Sequence, residues 1–215
     1  MRIAVVGGYA NSLINFRGDM LRSMVELGHE VLAMAPEDDP EVAAKLGDLG
    51  VRYRPIPLRR TGMNPIRDAR TVVALVRAFR AFRPDAVFMY AVKPVIYGSM
   101  AARLARVPLR AAMITGTGSA FSGGTTWKRR LVGLLVRRLY WVGLAGVQVV
   151  FFQNPDDERL FRSLGLVGRR RQRILRVGGS GVDLERFRPV PLPDGPLTFL
   201  LIGRVIRDKG VVEYV

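Results

Sequence analysis

The length, composition and charge of the chain exclude several classes of protein. Its 215 residues, 49% hydrophobic and 24% charged, are typical of one globular domain, or of one domain and a fragment of a second. With no cysteine and one histidine, His29, the chain cannot build disulfide frameworks, thiol nucleophiles or multi-histidine metal sites. The net charge of +16 favours anionic partners: phosphates, nucleic acid or an anionic membrane surface.

Two sequence patterns bear on location and partners. The amino-terminal segment MRIAVVGG lacks the charged region and long apolar core of a secretory signal, which predicts a cytoplasmic protein. No aromatic RNA-binding motif or zinc-finger spacing is present, so nucleic acid is disfavoured as a partner. His29 lies between a predicted helix end and a predicted strand, and a structural hydrogen bond is its expected role.

The first half of the chain alternates short apolar runs with longer periodic stretches. The apolar runs predict strands at Arg2–Val6, Glu30–Ala35, Val51–Ile56 and Ala86–Tyr90. The periodic stretches predict helices at about Ser12–Leu27, from Asp39-Pro40 to Gly50, from Asn64-Pro65 to Phe82, and at Val95–Ala105. One face of the first helix is predicted to contain Leu13, Phe16, Met20, Met24 and Leu27. Gly28 then follows where a helix commonly ends in a left-handed residue.

The second half continues the alternation. Strands are predicted at Ala111–Ile114, Val147–Phe152 and Arg173–Val177. Helices are predicted at Lys128–Leu144 and from Asn154-Pro155 to Leu164. Repeated β-α units with apolar strands indicate an α/β fold: a doubly wound, mostly parallel, Rossmann-like sheet with helices on both faces. Ligands of such a fold bind beyond the carboxyl ends of the strands.

Composition changes near the carboxyl end and divides the chain. Residues 1–185 are predicted to form the Rossmann-like domain, and residues 186–196, RFRPVPLPDGP, a proline-rich linker. Residues 197–215 are predicted to begin a second α/β domain, with an apolar strand at Leu197–Ile202 and the first turn of a helix after it. Since one strand cannot satisfy its own ladder, we expect the rest of that domain to be missing from this chain.

The first candidate site is the turn Gly7-Gly8 after the first strand. Exposed N–H groups at the start of the following helix suit an anion, and glycine allows a ligand to approach the backbone. Glycines also simply make the tight turn that such a fold needs. The dinucleotide pattern G-x-G-x-x-G is not met, because Tyr9 and Ser12 occupy two of its positions, which disfavours a nicotinamide or flavin enzyme.

The next candidates follow the fourth and fifth strands. Lys93 lies at the predicted mouth of the sheet, with Tyr97 and Ser99 on the helix just beyond, and is placed to hold a phosphate or to be a solvated surface lysine. The loop after the fifth strand is rich in glycine and threonine and includes Thr115, Gly116 and Gly118. It is suited to cover a sugar or phosphate, or to be a plain flexible loop.

The segment WKRRLVGLLVRRLYWVGLA combines basic charge with large apolar residues on one predicted helix. Its basic and interfacial residues are Trp127, Lys128, Arg129, Arg130, Arg137 and Arg138. This pattern is typical of a helix that lies on an anionic membrane surface, and equally of a sheet-covering helix with a solvated basic edge. The arginine pair interrupts the apolar run, so a transmembrane span is not expected.

Several segments, taken in order, resemble bacterial family 4 glycosyltransferases of the GT-B fold, above all those that extend lipid-linked or capsular glycans. The segments are LGHEVLAMAP, VKPVIYGSMAARLARVP, MITGTGSAF, VFFQNPDDERLF, GSGVDLERFRP and LIGRVIRDKG. The resemblance covers essentially the whole chain. It implies two Rossmann-like domains around a cleft, with the acceptor on the amino-terminal domain and the nucleotide sugar on the other. It also implies transfer with retained anomeric configuration and without a metal or other cofactor.

The resemblance also assigns roles to individual residues. Arg204 and Lys209, in the family's G-R-x-x-x-D-K-G pattern, would bind the donor diphosphate, and Gly7 and Gly8 would approach the donor. The acceptor would face Lys93, Tyr97, Ser99, Thr115, Gly116 and Gly118. Many relatives carry a histidine where this chain has Ala91 and Val92, and no catalytic residue is assigned here.

Two hypotheses therefore remain after the sequence. The first is the acceptor-side half of a hexosyl- or N-acetylhexosaminyltransferase, inactive alone, located in the cytoplasm or peripherally on the cytoplasmic face of the inner membrane. The second is a non-catalytic domain that docks on anionic lipid or glycan phosphate through its basic helix. Liposome binding without any transfer activity would favour the second.

Overall fold

The computed structural model of the protein describes residues 1–60, 62, 64–116, 127–192, 194–203, 205 and 210–214. These residues divide into two compact units, Met1–Gly181 and Val182–Val215. The larger unit contains the sheet, and each unit is described separately below. The predicted domain limits at residues 185 and 196 stay predictions.

The larger unit is built on one sheet of seven parallel strands. In chain order they are β1 (Arg2–Val6), β2 (Glu30–Ala35), β3 (Arg52–Pro55), β4 (Ala86–Tyr90), β5 (Leu109–Ile114), β6 (Val149–Phe152) and β7 (Arg173–Arg176). Their order across the sheet is β3-β2-β1-β4-β5-β6-β7. The order of the strands across the sheet reverses between β1 and β4. The carboxyl ends of these two neighbouring strands therefore flank the crevice where doubly wound folds bind ligands.

Helices cover both faces of this sheet. They are α1 (Ala10–Asn15), α2 (Gly18–Glu26), α3 (Pro40–Asp48), α4 (Pro65–Phe82), a π-helical turn (Pro94–Gly98) that leads into α5 (Ser99–Leu104), α6 (Trp127–Leu144) and α7 (Pro155–Ser163). Strand residues alternate between two buried clusters: Ala4 and Val6 belong to one, and Ile3 and Val5 to the other. The predicted doubly wound α/β fold is confirmed.

The predicted starts and ends of the helices are stabilised by capping side chains and by glycines in a left-handed conformation. Asp39 accepts hydrogen bonds from two backbone N–H groups of α3 at 3.1 Å, and Asn64 accepts one from α4 at 3.1 Å. Asn154 does the same for α7 at 2.7 Å. Gly28 and Gly50, which follow α2 and α3, have φ of +78° and +74°, a region that costs other residues strain. These caps are confirmed.

The prediction of one helix over Ser12–Leu27 is wrong. The helix breaks at Arg17, whose φ of −130° and ψ of −2° lie outside the helical region, before Gly18 begins α2. The predicted apolar face holds only in part: Leu13 is buried and Met20 and Met24 pack against the core, but Phe16 and Leu27 are largely exposed. The break lets the long side chain of Arg17 turn into the protein.

The smaller unit has little regular structure among its described residues. A short helix, α8 (Val211–Tyr214), agrees with the predicted helical turn. Leu197–Ile202, predicted as a strand, forms no strand. No other strand is present in the described part of this unit, and a strand forms only where a neighbour satisfies its backbone ladder.

Candidate ligand-binding pocket

A pocket of about 460 Å³ opens beyond the carboxyl edge of the sheet in the larger unit. Its wall is formed by segments that follow strands β1, β4, β5, β6 and β7 and by residues that precede α4. Near β1 and α1 these are Gly8, Tyr9, Ser12, Phe16 and Arg17, before α4 they are Leu58 and Arg60, and from the end of β4 they are Tyr90, Ala91, Val92, Lys93 and Pro94. Thr115, Gln153 and Ser180 follow β5, β6 and β7. This is the position at which the fold predicts a ligand.

The charged residues of this pocket are all basic. Arg17, Arg60 and Lys93 line it, and no aspartate or glutamate is among the described residues of its wall. Arg60 stacks on the ring of Tyr9, with its guanidinium carbon 4.5 Å from the ring centroid. A wall of this charge suits an anionic ligand such as a phosphate or diphosphate.

Arg17 is the most deeply buried charged group of the wall. It is 5% exposed, and its guanidinium donates to the carbonyl of Phe16 and to Ser180 Oγ, both at 2.9 Å, and to Met113 Sδ at 3.0 Å. Its guanidinium carbon also lies 4.9 Å from the ring centroid of Tyr90. Burial lowers the pKa of Arg17 because it disfavours the charged form, although an arginine remains charged at neutral pH.

Tyr90 connects the end of β4 to the loop after β1. Ser12 Oγ donates to the carbonyl of Tyr9, so its contact of 2.8 Å with the Tyr90 hydroxyl uses the proton of Tyr90. Burial raises the pKa of Tyr90. A side-chain carbon at Gly7 would lie 2.5 Å from the Tyr90 hydroxyl oxygen, and one at Gly8 would lie 3.1 Å from Ala91 Cβ.

These contacts change the interpretation of the glycine turn. Of the two glycines, only Gly8 is part of the described pocket wall, while Gly7 makes room for Tyr90. The first N–H group of α1, on Ala10, donates to Glu37 Oε2 at 2.8 Å. The expectation that this helix start would offer free N–H groups to an anion is therefore wrong for Ala10, because a carboxylate of the same chain already fills that position.

Lys93 lines the pocket with its charge already paired. Its ammonium lies 3.0 Å from Asp68 Oδ1, and both side chains are only 12% exposed. Tyr97 donates to Asp68 Oδ2 at 2.9 Å, and burial, followed by the hydrogen bond to Asp68, raises the pKa of Tyr97. Asp68, in the first turn of α4, thus holds Lys93 and Tyr97 together.

The structure places some of the remaining predicted acceptor residues at the pocket and others away from it. Thr115 lines the pocket, and Gly116 follows it with φ of +140°. Ser99 does not reach the pocket: it is 1% exposed and contacts Met89 Sδ at 3.5 Å, because its position on α5 faces the sheet. Gly118, Arg204 and Lys209 lie outside the described residues, so their predicted roles stay predictions.

Ala91 has an unusual backbone at the mouth of the pocket. Its φ of +70° is left-handed, a conformation that costs a residue with a side chain about 1–2 kcal/mol. Strain of this kind persists where the surrounding structure enforces it, often at ligand sites. Here the left-handed residue lies between β4 and the π-helical turn, two residues before Lys93.

Helix α6 exposes apolar and basic side chains together. Trp127, Leu131, Leu134 and Leu135 recur at helical spacing on its exposed surface. Arg130, Arg137 and Arg138 are also exposed, and the guanidinium carbon of Arg138 lies 4.6 Å from the ring centroid of Trp141. The side chains of Lys128 and Arg129 lie outside the described part of the structure. Among the described helices none is long and apolar enough to cross a membrane.

Sequence reasoning missed three residues that organise the pocket. Arg17 was placed inside a helix, Tyr90 was treated as the end of a strand, and Asp68 as an ordinary residue of α4. Each of the three contacts a partner far away along the chain. Tyr90 contacts Ser12, 78 residues away, Arg17 contacts Ser180, 163 residues away, and Asp68 contacts Lys93, 25 residues away. A helical pattern interrupted by Arg17-Gly18 was the one local signal of a break.

The fold and the pocket define the class of the domain: Rossmann-like, with a basic ligand pocket at the switch point of the sheet. The glycosyl transferase 4-like domain matches residues 15–178, more than half of the chain. The chain therefore belongs to this family, the family 4 glycosyltransferases of the GT-B fold.

Individual proteins agree with this family. An N,N'-diacetylbacillosaminyl-diphospho-undecaprenol alpha-1,3-N-acetylgalactosaminyltransferase of Campylobacter jejuni is 26% identical over 227 residues, which is 100% of this chain and 59% of that protein. The chain thus spans little more than half of this relative.

Solved structures show the same fold. A sucrose-phosphate synthase of Thermosynechococcus elongatus matches with a TM-score of 0.60 and 11% identity, over 88% of this chain and 51% of that one. A glycosyltransferase of Rickettsia africae matches with a TM-score of 0.58 and 12% identity, over 89% and 46%. At these identities the likeness concerns the fold alone.

Proposed function

We propose that this chain is the acceptor-side part of a glycosyltransferase that moves a sugar from a nucleotide sugar to a glycan or polyprenyl-diphosphate-linked acceptor. The observation that carries the proposal is the pocket at the carboxyl edge of the sheet, whose charged wall residues are all basic. The nucleotide sugar and the polyprenyl-linked acceptor each contain a diphosphate, which such a wall attracts. Membership of the glycosyl transferase 4-like family supports sugar transfer as the reaction.

The similarity to one relative supports the choice of acceptor. That relative is named for transfer of N-acetylgalactosamine to a sugar linked through a diphosphate to undecaprenol. We propose an acceptor of the same kind for this chain, with an N-acetylhexosamine or another hexose as the transferred sugar. In this arrangement Thr115 and the Lys93–Asp68 pair face the acceptor, while Arg60 contributes charge at the mouth of the pocket.

The chemical step requires stabilisation of the departing nucleotide. As the bond between the sugar and the diphosphate breaks, negative charge grows on the diphosphate, and fixed cations stabilise it. Arg204 and Lys209 are proposed for this role on the strength of the family pattern G-R-x-x-x-D-K-G. We propose that transfer retains the anomeric configuration and needs no metal, and that this chain does not transfer sugar by itself.

Helix α6 supports a membrane location for this reaction. Exposed apolar residues flanked by arginines are the features of a helix that lies in the interface of an anionic membrane. We propose that α6 holds the protein at the cytoplasmic face, where a polyprenyl-linked acceptor would present its diphosphate.

The test is transfer activity of the full gene product that contains this chain. It is assayed with a panel of nucleotide sugars and a polyprenyl-diphosphate-linked sugar, beside the 215-residue chain and the variants Arg204→Ala and Lys209→Ala. Arg22→Ala is the control, because Arg22 is an exposed α2 residue paired with Asp19 outside the pocket. Activity that is lost in both site variants and kept in the control supports the proposal. An inactive full gene product with every donor, or fully active site variants, overturns it.

One observation favours a second candidate function, a non-catalytic docking domain. The exposed apolar residues of α6 would be explained by binding to anionic lipid alone. Strong, salt-sensitive binding to anionic vesicles by a gene product without transfer activity would support this alternative.

A further inference from the structure

Arg17 is a buried cation in the wall of the pocket. It is 5% exposed, and its hydrogen-bond partners, the Phe16 carbonyl, Ser180 Oγ and Met113 Sδ, are all uncharged. Among the described residues no carboxylate lies within ion-pair distance of it. A buried charge is costly unless it is paired, and replacing buried charged groups by apolar side chains of similar volume is often neutral or stabilising. Apart from these hydrogen bonds and the contact with the ring of Tyr90, the described residues supply nothing that offsets the cost of burying this charge.

The donors of Arg17 that have no oxygen partner include Nε and Nη2, which lie on one edge of its guanidinium. Nη1 makes both contacts with oxygen, Nη2 contacts only sulfur, and Nε has no partner in the part of the chain that the structure describes. The Nε and Nη2 edge is the pair of parallel donors with which an arginine binds two oxygens of one anion. Nε is closed off from solvent, so a ligand oxygen reaches it only after the guanidinium turns.

Ser180 supplies a further donor beside it. Its Oγ accepts from Arg17 Nη1 at 2.9 Å and from Gln153 Nε2 at 3.3 Å, which occupies both of its lone pairs. The hydroxyl proton therefore points away from both donors. Ser180 and Gln153 both line the pocket with Arg17. A cationic fork and a neighbouring hydroxyl match an anion with several oxygens.

We infer that Arg17, assisted by Ser180, is the receptor for a phosphoryl group of the ligand that enters this pocket. The inference rests on the proposed function only for the source of that group, which is the diphosphate of either the nucleotide sugar or the lipid-linked acceptor. The ligand supplies the countercharge that no described carboxylate of this chain provides.

The experiment measures both stability and anion binding of the 215-residue chain. Inorganic pyrophosphate is titrated calorimetrically into the wild type, Arg17→Met and Arg17→Lys, with Arg22→Met as the control outside the pocket. We expect Arg17→Met to melt at the same temperature or higher without ligand, and to lose at least about tenfold in pyrophosphate affinity, as expected for a charge-assisted hydrogen bond. Arg17→Lys retains part of the affinity, and Arg22→Met retains all of it.

The opposite pattern overturns the inference. If Arg17→Met melts at a lower temperature and binds pyrophosphate as the wild type does, Arg17 is a structural residue. If Arg17→Met does not fold, Ser180→Ala decides, because Ser180 is exposed and outside the core. Weaker pyrophosphate binding by Ser180→Ala supports the receptor, and unchanged binding rejects it.

Competition identifies the source of the phosphoryl group. Displacement of pyrophosphate by uridine diphosphate assigns the site to the donor, and displacement by geranyl diphosphate assigns it to the acceptor. Binding that depends on Arg17 in a gene product without transfer activity would reject the proposed function and keep the receptor. Transfer activity together with pyrophosphate binding that does not depend on Arg17 would keep the proposed function and reject the receptor.

Discussion

The hydroxyl of Tyr90 occupies the space that a side chain at Gly7 would need. A Cβ at Gly7 would lie 2.5 Å from this hydroxyl oxygen and 2.8 Å from the ring carbon that bears it. Tyr90 cannot move away without losing its 2.8 Å contact with Ser12. The glycine after β1 is thus required by a side chain of the same domain, and through Tyr90 it sets the position of the pocket wall.

This relationship predicts a large cost for one added methyl group. Gly7→Ala is expected to lower the free energy of unfolding by about 1–3 kcal/mol, the usual range for overpacking. Gly47→Ala is the matched control, since Gly47 lies inside α3 with nothing within 4 Å of the added carbon. It should raise the free energy by about 0.5–1 kcal/mol, because alanine favours a helix. Urea denaturation measures both, and equal effects of the two changes would contradict the interpretation.

The Asp68–Lys93 pair and the Asp19–Arg22 pair differ mainly in burial. Their N–O distances are 3.0 Å and 3.1 Å, but the first pair is 12% exposed on both sides and the second is 54–76% exposed. Asp68→Asn should lower the free energy of unfolding by about 1–3 kcal/mol, because Lys93 loses its buried partner. Asp19→Asn should change it by less than about 0.5 kcal/mol, as expected of an exposed pair.

A second substitution checks the cause. Lys93→Met in the Asp68→Asn background should recover part of the lost stability, since the double change removes the unpaired charge. Chemical denaturation of the four proteins gives the coupling between the two sites. If the double variant is less stable than the sum of the two single changes predicts, repair of an unpaired charge is not the explanation.

The sequence predicts the sheet well because its signals are local. Apolar runs define the strands, and pairs such as Asp39-Pro40 and Asn64-Pro65 define the helix starts through the backbone N–H groups that they satisfy. The break at Arg17 is not local in the same sense. Only the pair Arg17-Gly18 interrupts the helical pattern there, and the residues that hold the Arg17 side chain, Met113 and Ser180, come from distant parts of the chain.

The pocket was predicted in place but not in composition. Lys93 and Thr115 line it because the carboxyl ends of parallel strands share one edge, which the strand pattern implies. The pattern does not reveal that Asp68 pairs with Lys93, since no spacing rule connects α4 to the loop after β4. Ser99 was misplaced for a related reason: the side of α5 that meets the sheet depends on the π-helical turn before it.

Tyr53 provides a test at alkaline pH. Burial, followed by the nearby carboxylates of Glu37, Asp39 and Asp38, raises the pKa of Tyr53 from 10.0 to about 12. Between these two values the folded protein keeps a proton that the unfolded chain has lost. The contribution of Tyr53 to stability is therefore fully present below pH 10 and decreases as the pH rises toward 12.

The variant Tyr53→Phe isolates this contribution. It lacks the hydroxyl that donates to the Glu37 carbonyl, so it should be less stable than the wild type at neutral pH. The difference in free energy of unfolding between the two proteins should shrink from pH 10 to 12, because only the wild type has this group to titrate. Urea denaturation at a series of alkaline pH values measures it, and a constant difference would show that the phenol does not titrate as described.

Binding of α6 to a membrane predicts different effects for two equally exposed leucines. Leu134 on α6 and Leu104 on α5 are each 60% exposed. If α6 lies in the lipid interface, Leu134→Gln should weaken binding to anionic vesicles by about tenfold, from the apolar burial that is lost. Leu104→Gln should leave it unchanged. Sedimentation of the protein with vesicles of phosphatidylglycerol and phosphatidylcholine provides the binding constants.

Charge adds a second requirement to the same surface. Arg130→Gln should weaken binding by several-fold, about 1 kcal/mol for one basic residue near an anionic surface, and the loss should diminish as salt is raised. Vesicles of phosphatidylcholine alone should bind the wild type weakly and should not distinguish it from Arg130→Gln. Equal losses for Leu134→Gln and Leu104→Gln would mean that the lipid contacts both helices without preference, and α6 would then have no special role in holding the protein at the membrane.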